Sequence, residues 1–431
     1  MANEWPVTTV GEIAESISDT HGFGKDELIF LNTSDVLFGK ILHNTYSAVR
    51  DWPGQAKKSI RRDDILFSEI RPANGRWAYV DVDADDFVVS TKLMVIRSRP
   101  GKVVPRFLYH FLTSARTTRW LQHLAESRSG TFPQITFDQV AELELALPPM
   151  ADQVAIVNFL DGIEDRIELN RQMNRTLEGI ARSLFKSWFV DFDPIRAKAE
   201  GRDPGLPKSL ADLFPDSFED SELGDIPKGW TVKSLDEITS YLNRGISPLY
   251  LEEGGVLVIN QKCVRGGRVD TSKARRHDSN KKPISGRTLK DGDILVNSTG
   301  VGTLGRVGQV IKLDEQAIVD SHVTVVRVDE AKASWNFLGL NLTSRESEIE
   351  ALGEGSTGQT ELSRSRLGAL LLVLPPVEVL GHFDRLSLPM RQRIGANDES
   401  SGTLSNIRDQ LLTKLISGEL RVPNAERIVG A

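Results

Sequence analysis

At 431 residues the chain is too long for one ordinary core, so two or three domains are expected. Its 39% hydrophobic and 26% charged residues are those of a soluble globular protein, and no run approaches the roughly 20 apolar residues of a membrane span. A formal net charge of −7 is the opposite of a uniformly basic nucleic-acid footprint. The single cysteine, Cys263, excludes an internal disulfide and fits a reducing, cytoplasmic location.

Met1 to Trp5 include an acid and no apolar core, which argues against a secretory signal. Short β-type runs follow, at Ile29 to Leu31, Ile65 to Phe67 and Phe87 to Ile96, punctuated by Gly, Asn and Pro. A helix-like stretch, Phe107 to Leu124, comes late, and Leu147-Pro148-Pro149 closes this first α/β region, residues 1–150. The period then changes. Ile156, Leu160, Ile163, Ile167, Asn170, Asn174, Leu177, Ala181, Leu184 and Trp188 step by four and three, a heptad seam on a long helix over 151–192. Residues 193–228, rich in Pro, Gly and acids, are expected to form an extended linker.

A second α/β region, 229–376, repeats the first. Trp230 to Ile238 matches Trp5 to Ile13, Asp293-Ile-Leu295 matches Asp64-Ile-Leu66, and Gly305-Arg306 matches Gly75-Arg76. Phe337-Leu338 and Leu374-Pro-Pro376 likewise match Phe107-Leu108 and Leu147-Pro-Pro149. Order is kept and the offset stays between 225 and 230, which argues for a tandem duplication. The seam recurs on a second helix over 377–421, through Ile394, Asn397, Leu404, Leu411 and Leu415, before a tail at 422–431. Asn397 falls opposite Asn170 in the repeat, and Pro389 is expected to delay or kink the helix start. The fold class is thus mixed α/β (α+β): two duplicated domains, each followed by a long helix, the helices pairing as an antiparallel coiled coil.

Charge is uneven. Asp212 to Asp225 holds six carboxylates and no Lys or Arg, while basic runs lie at Lys57-Lys58 with Arg61-Arg62 and at Arg275-Arg276 with Lys281-Lys282. Local patches are what a phosphate backbone feels, so the acidic total does not exclude DNA. No catalytic constellation assembles. Gly300-Val-Gly-Thr-Leu-Gly305 has dinucleotide-type spacing, but the β-branched continuation to Ile311 reads as a strand where that fingerprint needs a helix. There is no phosphate-binding P-loop, no nucleophile elbow, and no metal-type spacing among seven scattered histidines and one cysteine. Asp63-Asp64 and Asp85-Asp86 read as solvated turns rather than catalytic dyads.

The duplicated plan resembles the specificity subunit of type I restriction-modification systems. Its most specific residues are Leu147 to Gln153, Phe185 to Asp193, Ser221 to Trp230 and Leu411 to Leu420. Val377-Glu-Val-Leu380 departs from the pattern of Met150 to Gln153, so an irregular helix start is expected there. The resemblance implies a non-catalytic, sequence-specific DNA-binding subunit that reads a bipartite target. Each domain takes one half, and the helices act as a ruler. It implies partners too: double-stranded DNA, two modification (methyltransferase) subunits, and restriction/translocase subunits. S-adenosylmethionine, ATP and magnesium belong to those partners, and this chain is expected to hold no cofactor or metal.

Base edges are read by Arg, Lys, Asn, Gln and Ser/Thr, and the candidates are polar residues in loops that recur in both copies. Candidates in the first copy are Asn32, Thr33, Arg71, Asn74, Arg76, Lys92, Arg128, Ser129 and Gln134. In the second they are Asn260, Gln261, Lys262, Thr299, Thr303, Arg306, His322, Ser356, Thr357 and Gln359. The repeated Gly-Arg pairs stand out because glycine allows a close backbone approach to a ligand. Three other readings compete: recognition subunit of another DNA-modification defence system, nucleotide-binding enzyme using Gly300 to Gly305, and coiled-coil scaffold without DNA recognition.

Overall fold

The computed structural model describes residues 5–128, 133–355 and 360–423. The chain forms two compact units, Met1–Leu169 with Ser400–Ala431, and Asn170–Glu399.

In the first unit, β1 (Glu27–Leu31) pairs in parallel with β3 (Phe87–Ser90), Phe30 opposite Val88, at the centre of a four-stranded sheet. A second four-stranded sheet places β4 (Leu93–Ser98) antiparallel to β2 (Ile65–Ser68). The central runs are buried on both faces, so their apolar residues are continuous rather than alternating. Helix α1 (Pro105–Thr113) packs Phe107, Leu108 and Leu112 into the core beneath. The outermost strand pair, Val7–Thr9 with Glu144–Ala146, closes the domain beside α2 (Met150–Phe189), which begins directly after Pro149.

The second unit repeats this plan. Strands β5 (Val256–Ile259) and β7 (Ala317–Val319) are the parallel pair. Strands β6 (Ile294–Asn297) and β8 (Val323–Val328) are the antiparallel one, in a six-stranded sheet. Helix α4 (Trp335–Ser344) stands where α1 does, and Thr231–Ser234 pairs with Leu371–Leu374 to close the domain.

Residues 193–228 are not an extended linker. They fold into α3 (Asp193–Ala199), a helical turn at Lys208–Ala211 and a small hairpin. Ile195, Leu210, Phe214 and Ile226 are buried, the first three in one aromatic core with Phe185, Trp188, Phe189, Trp230 and Phe337. Phe189 lies 5.0 Å from both the Phe337 and Phe383 rings. Acids and turn residues dominate the composition, and the few apolar anchors suffice to hold the segment down.

The second long helix, α5, runs Val377–Ser417 and starts directly after Pro376. Pro389 neither delays nor ends it. Both Pro389 and Arg385, whose carbonyl the proline leaves without a donor, are exposed, which lowers the cost of the missing bond. Within each unit the two helical segments run antiparallel. In the first, Arg408 approaches Glu164, Arg421 approaches Asp152, and Ile156 and Leu160 share a core with Leu411 and Leu415. In the second, Asn397 Nδ2 donates to Asn174 Oδ1 at 2.8 Å, and Asn174 Nδ2 donates to Asp398 at 2.8 Å. Ile163, Ile167, Asn170 and Trp188 are buried, while Leu177, Leu184, Ile394 and Leu404 are half-buried. No helix among the described residues is long and apolar enough to cross a membrane.

Candidate nucleic-acid interface

Each of the two α/β domains is held from within by the same ion pair. Asp64, wholly buried, takes both oxygens to Arg97 at 2.7 Å and also accepts from the Arg61 amide. Asp293 does the same with Arg327, again at 2.7 Å, and accepts from the Lys290 amide. In both, the carboxylate raises the pKa of its arginine further. Asp64 is therefore no solvated turn residue. Its partner lies 33 positions away, out of reach of local reading.

Three turns converge at one end of the sheets in each unit. In the first, these follow β1, follow β2, and join β3 to β4. The Glu69 amide donates to the Lys92 carbonyl, the Phe38 amide to the Gly75 carbonyl, and Arg76 to the Ser34 carbonyl. In the second unit the Ser298 amide donates to the His322 carbonyl at 2.8 Å, Asp320 to the Ile259 carbonyl, and Gln261 to Thr299. The β3–β4 and β7–β8 turns match in detail. Ser90 Oγ accepts from the Lys92 amide, and Asp320 Oδ1 accepts from the His322 amide at 2.9 Å. Burial pushes the Asp320 carboxyl up, against the pull of that amide.

The predicted residues divide by what their side chains do. Asn32 and Asn260 are caps of short helical turns, accepting from the amides of Thr33 and Lys262 respectively. Asn260 also donates to the Lys273 carbonyl, and Thr303 is turned inward to the Gly300 carbonyl. Arg76 is half-buried and spent on the carbonyls of Ser34 and Val36. Its counterpart Arg306 is also half-buried but makes no side-chain hydrogen bond or ion pair among the described residues. The same freedom belongs to exposed Arg71, Lys92 and Lys262; Asn74 and Gln134 are exposed as well. Arg71 holds a left-handed backbone, φ 46°, which costs a non-glycine residue energy and aims it out of the β2 turn. Thr33 is half-buried beside Asn32. Gln261, Thr299 and His322 form one hydrogen-bonded chain.

The glycines of the Gly-Arg pairs answer to packing. At Gly75, φ 70°, a side chain would run into the Phe38 ring; at Gly305, φ 81°, it would meet the Glu350 amide nitrogen at 2.7 Å. Gly300 to Gly305 form turns between β6 and the strand Val307–Gln309, and no helix starts inside them. For Arg128 only the helical backbone is described, and Ser129, Ser356, Thr357 and Gln359 lie outside the described residues. Among the described residues no cluster of His, Cys, Asp and Glu has metal-holding form.

The Methylase_S model, the type I restriction modification DNA specificity domain, matches residues 2–179. The HindI specificity subunit of Haemophilus influenzae is 32% identical, over 97% of this chain and 100% of its own length. This chain belongs to the type I restriction enzyme specificity subunits. A second such subunit, MjaIX of Methanocaldococcus jannaschii, is 26% identical over 74% of the chain and 70% of its own length. The crystal structure of the type I S subunit from M. genitalium shares the fold, with a TM-score of 0.56 at 15% identity, over 96% of this chain and 97% of that one.

In this specificity subunit, sequence reasoning passed over Phe38 and Glu361. Phe38 is 66% exposed and stands edge-on to Trp77 beside the Arg71 turn. Glu361 bridges to Thr299 and pairs with Arg244. It matches Gln134, which bridges to Ile70 in the first domain, so the repeat offset carried the signal.

Proposed function

We propose that this specificity subunit reads a two-part DNA target, one half with the turns of each recognition domain, and directs adenine methylation and restriction by partner subunits. The long helices set the gap between the halves. Half-sites on one side of the duplex recur about every 34 Å, so a helical spacer of fixed length selects a fixed gap. Joining two readers also raises the effective concentration of the second half-site once the first is held. The chain itself is non-catalytic. Two modification subunits, supplying S-adenosylmethionine chemistry, and ATP- and magnesium-dependent restriction subunits are its partners in this reading, and they share the phosphate contacts that a net charge of −7 leaves unmet.

One observation carries this: two duplicated domains raise equivalent turns, with basic and polar side chains free, at the same end of equivalent sheets. Arg306→Ala in the assembled methyltransferase is the test. The expected outcome is relaxed specificity in one half-site and a loss of about 1–3 kcal/mol on the cognate site. Unchanged affinity and unchanged preference would remove Arg306 from the reading surface.

A further inference from the structure

The second recognition domain fixes the direction of one hydrogen-bond donor. Gln261 Nε2 lies 2.8 Å from the Thr299 carbonyl oxygen and 2.5 Å from Thr299 Oγ1. A backbone carbonyl only accepts, so Gln261 must present its NH2 group here. The Thr299 hydroxyl oxygen accepts from it and keeps its one proton to give, and His322 Nδ1 stands 2.8 Å away as a partner that can take it. With Nδ1 accepting, the neutral ring carries its own proton on Nε2. The His322 side chain is exposed, and Nε2 has no partner among the described residues.

The rest of the site is built around this chain. His322 is pinned at its amide by Asp320 and at its carbonyl by Ser298. The Gln261 carbonyl accepts from Asn297 Nδ2, itself wholly buried. At Gly300, φ 100°, a side chain would run into the Thr303 hydroxyl and meet the Gln261 amide oxygen at 3.0 Å, so the glycine keeps open the space beside Gln261. An ordinary exposed histidine has no partner in the fold; this ring is tied to Thr299 at Nδ1.

We propose that His322 is a base-reading donor, offering Nε2–H to an acceptor on a base edge, with Thr299 and Gln261 as positioning residues. The acceptors of that kind in the major groove are guanine O6 and N7, adenine N7 and thymine O4; the amino groups of cytosine and adenine are excluded, donor facing donor. The inference rests on the DNA-reading function proposed above. In the first domain the matching position is Lys92, also a donor only, on a free and flexible stem. His322 differs in having its direction set from inside the fold, which suits a base edge better than a phosphate.

The test uses the assembled methyltransferase carrying wild type, His322→Ala, Thr299→Val or Thr299→Ser. N6-methyladenine motifs and affinities on single-base target variants are read alongside histidine nitrogen shifts of the full chain labelled with 15N. His322→Ala is expected to relax one base pair of one half-site on the order of tenfold or more, leaving the other half-site intact. Thr299→Val should weaken the same position and release the ring into a mixture of tautomers, while Thr299→Ser restores both. If His322→Ala weakens all sequences equally with a shallower salt dependence, the contact is to phosphate and the proposal falls. It falls equally if no position relaxes, or if the wild-type ring is protonated at Nδ1. A wild type without any sequence preference would instead sink the DNA-reading function itself, and the nitrogen shifts would still report on the relay.

Discussion

Asp64 with Arg97 and Asp293 with Arg327 are the same interaction written twice, and each hangs on a carboxylate with no solvent exposure. Removing the arginine strands a buried charge. Arg327→Met is therefore expected to cost about 3 kcal/mol or more, read as a lower urea midpoint. Arg62→Met breaks a pair whose Asp83 partner is 94% exposed, and should change stability by less than about 1 kcal/mol. Equal effects would show that burial is not what gives the first pair its weight. Gly305→Ala offers a second check, since it forces both a left-handed φ and a 2.7 Å approach to the Glu350 backbone. A loss of at least about 1 kcal/mol is expected, with a near-neutral result placing the glycine outside the packing argument. Little of this was legible residue by residue. Asp63-Asp64 reads as a turn because the sequence hides Arg97, and Asn32 and Asn260 read as contact residues although their oxygens cap turns. Exposed Arg71, Lys92 and His322 were picked from polarity and position in repeated loops; the fold adds which of them have ends left to offer.

At the scale of elements, the long helices were the most legible feature, because a heptad seam is a local pattern that tertiary context has little reason to override. Pro389 did not delay the helix start, because a proline costs a helix only the hydrogen bond and the space it disturbs, and on an exposed face the first is a smaller loss. The polar layer of the seam carries its own prediction. Asn397→Leu leaves Asn174 Oδ1 without its 2.8 Å donor in a buried site and should cost about 1–3 kcal/mol. Adding Asn174→Leu should recover part of that loss, and simple additivity in the double-mutant cycle would contradict a direct pairing. Gly402 of α5 has nothing within 4 Å of where a side chain would begin, so Gly402→Ala should raise stability by up to about 1 kcal/mol. Residues 193–228 show the limit of composition. Six carboxylates between Asp212 and Asp225 announce a linker, yet burial of Ile195, Leu210 and Phe214 decides the outcome.

At the scale of the whole molecule, the tandem repeat fixed the plan before any motif did, and the family places the chain within a complex rather than alone. The sequence reading reached the family because a repeated plan is a global property of the chain. It did not reach the target, because under the proposed function base recognition depends on a few side chains in turns, and residue type alone does not say which base each one faces. Mapping N6-methyladenine by long reads in host DNA, with this gene present and deleted, tests the two-part reading directly. The expected result is a motif of two short specified blocks around a fixed unspecified gap, present only with the gene. A motif that survives deletion, or a single undivided block that depends on the gene, would contradict it.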